Sequence, residues 1–215
     1  MPYRTPEEYE ERYKEVRGRD RALLSLDNPL EIDEQFDRKV ITSSYIIKYL
    51  YQQNKSLFSI LDIGCGQDLF LFTWLTKYLK IKDIFDIQYT ALDVIKDEVI
   101  LEKVRDRLRY IKGTWLELEK IFHDEKFDII VWLDGPEHEP NSKRVYRQIN
   151  KILKPDGIVI ISAPINCPAW GHAVLYTQER FRLEISRFFN IKAFVFLDDG
   201  KLPECLVICT KKRLV

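Results

Sequence analysis

An apolar run, Phe58 to Ile63, ends in Gly64-Cys65-Gly66 and is followed by a second apolar stretch, Leu69 to Leu79. The first run has the character of a strand buried on both faces of a parallel sheet. Glycines at its end let the backbone turn sharply and approach a ligand where a Cβ would collide. Asp68 is a suitable N-cap for a helix over Leu69 to Leu79, and the N–H groups and dipole of that helix would favour a polar or anionic ligand. Taken alone, this turn reads equally as a structural corner or as the cradle of a nucleotide-type ligand. Two better-known glycine loops fail by position. The dinucleotide fingerprint needs glycine where Leu69 stands, and the phosphate-binding loop needs a Gly-Lys-Ser/Thr ending that is absent.

The rest of the chain alternates. The pattern predicts helices over Pro6 to Gly18 and Asp33 to Gln53, the latter with Ile32, Phe36, Val40, Ile47 and Leu50 or Tyr51 on its core side. Strands are predicted over Ile87 to Asp93, Leu108 to Lys112, Phe127 to Leu133, Gly157 to Ala163, Ile191 to Leu197 and Cys205 to Thr210. Helices over Lys96 to Val104, Trp115 to Phe122, Asn141 to Leu153 and Thr177 to Phe188 fall between them. Such alternation defines an α/β, doubly wound, mostly parallel seven-stranded sheet with helices on both faces. Only Asp198 to Glu204 joins the last two strands. A parallel crossover needs about a dozen residues, so the C-terminal strand must be antiparallel.

At 215 residues the chain is long enough for one domain, expected over 33–215, plus a small N-terminal helical segment over 1–32. That segment reads as a lid over the site or as a homodimerisation arm. The 34 basic and 34 acidic residues cancel, so nucleic acid is not favoured as a partner. Cys65, Cys167, Cys205 and Cys209 lack paired metal spacing, and no metal site is expected. With no apolar signal core and no run of membrane-spanning length, the reading is a soluble, cytoplasmic protein.

Several motifs in a fixed order carry a family resemblance. Leu61-Asp62-Ile63-Gly64-Cys65-Gly66, Ala91-Leu92-Asp93-Val94, the stretch Phe127 to His138, Leu153-Lys154-Pro155-Asp156-Gly157 with Ala163-Pro164, and His172 with Tyr176-Thr177 follow one another. Over roughly residues 40–210 the chain thereby resembles the class I S-adenosylmethionine-dependent methyltransferases. Its Glu137-His138 pair is similar to one common in members that act on small molecules. Two departures stand out. Asp68 occupies the place of the family's third glycine, and Gly113-Thr114-Trp115 replaces an acidic residue after the third strand.

The resemblance implies S-adenosylmethionine as cofactor, met by Asp62, Gly64, Cys65, Gly66, Asp93, Val94, Thr114, Trp115 and Asp134. It places a small-molecule acceptor beside Trp170, His172 and Tyr176, with His138 as the catalytic proton acceptor. Against these stand plainer roles: a solvated acid at Asp93, a structural acid at Asp62, a loop histidine at His138 and a packing tyrosine at Tyr176. Trp132, in mid-strand, belongs to the core. The alternative functions are a non-catalytic adenosyl-binding protein, a methyltransferase acting on protein or nucleic acid, and a nicotinamide oxidoreductase.

Overall fold

A computed structural model of the chain describes residues 36–66, 69–95, 102, 106–169, 171–198 and 203–213. The expected helix over Pro6 to Gly18, the N-terminal lid or arm, the Asp68 cap, Trp170 and, but for Glu102, the helix over Lys96 to Val104 lie outside the described residues. Seven strands form one sheet: β1 (Leu57–Ile63), β2 (Asp86–Asp93), β3 (Arg109–Lys112), β4 (Phe127–Trp132), β5 (Leu153–Pro164), β6 (Phe189–Leu197) and β7 (Glu204–Lys211). Their order is β3-β2-β1-β4-β5-β7-β6. The β1–β4, β2–β3 and β4–β5 pairs are parallel, whereas β7 is antiparallel to both β5 and β6. The hairpin inferred from loop length is present, with Leu197 opposite Glu204. Among the described residues, no helix is long and apolar enough to cross a membrane.

The chain divides into two compact units. In the first, helix α1 (Phe36–Gln52) buries Thr42, Ser43, Ile46, Tyr49 and Leu50. This stripe recurs at helical spacing, as expected for a core-facing helix. It is rotated from the expected one: Ile47 is half-buried and Tyr51 is exposed. The helix anticipated over Leu69 to Leu79 is α-helical only at α2 (Phe70–Thr73) and continues as a π-helix over Trp74–Tyr78. The Thr76 hydroxyl donates to the Phe72 carbonyl at 2.8 Å, and the Leu79 N–H reaches the Trp74 carbonyl, five residues back, at 3.0 Å. A threonine that competes for a helix carbonyl favours this kind of widened turn.

The second unit contains Ser59–Ile63 and the chain from Trp115 onward. Its helices are α3 (Leu118–Phe122), α4 (Ser142–Ile152) and α5 (Gln178–Ser186). Every residue of β4 is buried, and Ile129, Ile130, Val131 and Trp132 pair with Ile158, Val159, Ile160 and Ile161 of β5. Each such side chain contributes roughly 1.5–3 kcal/mol on full burial, which fixes the register of this pair. Trp132 is core, as expected, with its ring 5.6 Å from Tyr146 and 5.8 Å from Trp115.

One charged residue is built into the start of β4. Asp128 is fully buried and accepts from the Ser59 N–H at 2.8 Å, the Ser59 hydroxyl at 2.9 Å and Lys154 Nζ at 2.8 Å. A buried carboxylate is tolerated only when its lone pairs are taken up in this way. Replacing Asp128 with alanine leaves the Ser59 N–H and the ammonium without this partner. We expect a loss of about 3 kcal/mol, read as a lower urea midpoint. A loss under about 0.5 kcal/mol would show the cluster to be dispensable.

Candidate functional site

In the first unit the glycine turn is fastened to the carboxyl end of β2. Gly64 and Gly66 adopt φ of 66° and 68°, a left-handed conformation that costs other residues about 1–2 kcal/mol. The N–H groups of Gly64 and Cys65 both donate to the Leu92 carbonyl, at 2.8 and 3.3 Å. Asp93 is 7% exposed, and its Oδ2 accepts from the Gly66 N–H at 2.9 Å while Oδ1 accepts from the Ile95 N–H at 3.0 Å. The Gly113 N–H donates to the Asp93 carbonyl at 2.9 Å, bringing in the segment after β3. Gly64, Cys65, Gly66, Asp93, Val94 and Thr114 are thus gathered around one strand end.

Carboxylate oxygens are acceptors, and a buried acid at this strand end is the type of group that can take the hydroxyls of a ribose. A turn with glycine at two of its three positions, beside a carboxylate at the end of a strand, fits an adenosyl ligand. The solvated-acid alternative for Asp93 does not hold, because the side chain is buried and both its oxygens are engaged.

A second constellation belongs to the other unit. After β4, Asp134 takes φ of 49°, and its N–H donates to the Ser162 hydroxyl at 3.2 Å. Left-handed backbone at a non-glycine residue stores strain and is frequent at functional sites. Gly135 then passes against the Trp132 indole so closely that a Cβ would stand 1.7 Å from Nε1. The chain continues into a 3-10 turn, Pro136–His138. Glu137 is 1% exposed, and its carbonyl accepts from the N–H groups of Ala173 and Val174 at 2.7 and 2.9 Å. These bonds hold the loop after β5 against the turn.

His138 and His172 meet there, with ring centroids 5.1 Å apart and planes at 81°. His138 Nδ1 bonds the Gly171 carbonyl at 3.0 Å, and His172 Nδ1 bonds the Cys167 carbonyl at 2.8 Å. A carbonyl only accepts, so Nδ1 carries the hydrogen in each ring and Nε2 of the neutral imidazole carries the lone pair. His138 Nε2 lies 3.6 Å from Glu137 Oε1. Burial lowers the His138 pKa below its ordinary value, with the Gly171 carbonyl opposing, His172 adding to the depression and Asp134 opposing. The ring is therefore neutral at pH 7 and able to accept a proton or a cation. Nothing in the sequence spacing marked Glu137 as a member of this cluster.

The remaining expected residues have the following surroundings. Tyr176 is fully buried, and its hydroxyl donates to Glu184 Oε1 at 3.0 Å and lies 3.3 Å from the Ser142 hydroxyl. Its ring packs on Phe181 at 5.1 Å, so Tyr176 pins the start of α4 to α5 and presents no open face to an acceptor. Trp115 is half-buried, with Nε1 donating to Glu139 Oε2 at 3.2 Å. Asp62 is buried on β1 opposite Val131. Burial pushes the Cys205 thiol up to about 12 and the Cys209 thiol higher, so neither is a thiolate nucleophile.

Comparison with known proteins places this architecture. The model of the methyltransferase domain matches residues 54–187, more than half of the chain. The chain belongs to this methyltransferase-domain family, which bears out the resemblance and the fold expected from the sequence. It is 23% identical over 172 residues to a sterol 24-C-methyltransferase of Gibberella zeae, covering 78% of this chain and 43% of that protein. It is 30% identical over 129 residues to a ubiquinone biosynthesis O-methyltransferase of Rickettsia bellii, covering 57% and 49%. The chain thus spans less than half the length of these curated relatives. Its fold is similar to that of the N-methyltransferase NodS of Bradyrhizobium japonicum solved with S-adenosyl-L-homocysteine, at a TM-score of 0.62 and 16% identity, covering 90% of this chain and 98% of that one.

The Tyr176 hydroxyl offers a direct check on the packing role. Tyr176→Phe removes its bonds to Glu184 and Ser142 and should cost about 1–2 kcal/mol in chemical unfolding, with affinity for S-adenosylhomocysteine unchanged. Full stability combined with a changed acceptor KM would instead place the hydroxyl on the acceptor.

Proposed function

We propose that the protein is a methyltransferase that uses S-adenosylmethionine and acts on a small-molecule acceptor. The observation that carries this reading is the buried Asp93 carboxylate, fastened to the glycine turn at the carboxyl end of β2. The acid would take the ribose hydroxyls. Gly64, Cys65 and Gly66 would pass close to the methionine portion, and Val94 and Thr114 would flank the adenosyl end. When bound, the cofactor supplies a methyl group on a sulfonium, whose carbon–sulfur bond breaks with the electron pair remaining on sulfur.

Such a displacement needs alignment more than acid–base chemistry, because the leaving thioether takes no proton. The acceptor, when it is a hydroxyl or an ammonium, must lose one. His138 is the proposed recipient in the metal-free protein, since its neutral ring carries a lone pair at Nε2 and is held in one tautomer by Gly171. His172 is proposed to lie beside the acceptor. The small-molecule reading draws support from relatives whose names specify a sterol and ubiquinone biosynthesis.

The test is release of S-adenosylhomocysteine from S-adenosylmethionine across panels of sterols, phenols, amines, protein and RNA. We expect turnover on a small molecule. Asp93→Ala should weaken S-adenosylhomocysteine binding by about 10–100-fold through loss of charged acceptors worth about 1.5–3 kcal/mol each. Turnover confined to protein or RNA would refute the acceptor class. Binding with no turnover in any panel would favour a non-catalytic adenosyl-binding protein.

A further inference from the structure

The cluster after β4 has a composition that proton transfer alone does not require. Glu137, His138 and His172 each offer one ligating atom, and these atoms lie within 4.8 Å of one another. Three features point the same way. Each imidazole has its Nδ1 on a backbone carbonyl, Gly171 for His138 and Cys167 for His172. A ring nitrogen held on a backbone carbonyl is the outer-shell arrangement that orients metal-binding histidines. The carboxylate beside them is 1% exposed, and a buried negative charge favours a cation as neighbour. The whole cluster is rigidly supported: Glu137 receives the Ala173 and Val174 N–H groups, and the strained Asp134 precedes the turn.

We propose that Glu137, His138 and His172 form a binding site for one divalent transition-metal ion, and that its open positions take an acceptor oxygen. Two imidazoles and one carboxylate suit zinc, manganese or iron(II) in preference to magnesium or calcium, which favour all-oxygen shells. An ion with ligand distances of about 2.1 Å holds its ligands roughly 3–3.5 Å apart. Glu137 Oε1 and His138 Nε2 already stand 3.6 Å apart, so closing a cluster whose atoms lie within 4.8 Å of one another needs shifts of roughly 1–2 Å, within the reach of side-chain rotation. With three protein ligands the ion retains open positions, the pattern of a catalytic site.

The inference deepens the proposed function and rests on its acceptor side. With an ion in place His138 is a ligand. A hydroxyl bound to the ion becomes more acidic and loses its proton to water, so no protein base is needed. The acceptor class is then narrowed to hydroxyl-bearing molecules, methylated on oxygen.

The test uses the full chain, stripped with a chelator and dialysed. Mn2+ and Zn2+ are titrated calorimetrically, with Mg2+ alongside, and metal content is measured after reloading. We expect one Mn2+ or Zn2+ per chain and at least tenfold weaker Mg2+. His172→Gln and Glu137→Gln should each weaken Mn2+ at least tenfold, with S-adenosylhomocysteine affinity unchanged. Manganese electron paramagnetic resonance on the parent chain gives a readout that does not depend on the variants folding. Absence of stoichiometric metal in the parent, or undiminished Mn2+ binding in both variants, overturns the proposal. Loss of S-adenosylhomocysteine binding by the parent would instead strike the cofactor reading, so the two failures are distinguishable.

Discussion

The hydrogen bonds made by the Asp93 carboxylate hold the nucleotide side of this protein together. One oxygen fixes the Gly66 N–H and the other the Ile95 N–H, while the preceding carbonyl, that of Leu92, holds Gly64 and Cys65. A turn built on positive φ at Gly64 and Gly66 has little packing of its own to define it. A buried acid converts it into a fixed surface, and charge-assisted bonds to backbone are among the stronger ones available. A carboxylate fixed in this way is preorganised, which lowers the ordering cost of a ligand that meets it.

The other unit applies the same economy at the ends of β4 and β5. Gly135 fits beneath nothing bulkier than its own hydrogen because the Trp132 indole fills the space. The chain therefore leaves the strand through a strained Asp134 and enters the turn that carries Glu137 and His138. Backbone bonds from Ala173 and Val174 bring the following loop onto that turn, and His172 comes with it. Tyr176, buried and bonded to Ser142 and Glu184, fixes where the loop ends and α5 begins.

Much of the fold was legible in the sequence because its signals are local. Apolar runs such as Ile129 to Leu133 have the character of strands buried on both faces, and the short Asp198 to Glu204 link forces an antiparallel pair. Loop length did not reveal that β7, and not β6, pairs with β5, since a hairpin can dock by either strand. The π-helical stretch rests on the Leu79 N–H reaching the carbonyl five residues back at Trp74, a change of partner that no residue type there announces. At the site, Asp93 was legible from its place at a strand end. Tyr176 was not, because a tyrosine suits a pocket or a core and its partners lie on distant helices. The Glu137–His138–His172 cluster depends on how two loops meet, which no spacing encodes.

We propose that the Asp93 latch and the glycine turn bind an adenosyl group carrying sulfur. Thermal unfolding of the full chain with S-adenosylhomocysteine or NAD tests it most directly, since a ligand that binds only the native state raises its stability. At a hundredfold excess over Kd, S-adenosylhomocysteine should raise Tm by about 5–10 °C, with no shift from NAD. A shift with NAD and none with S-adenosylhomocysteine would contradict the account.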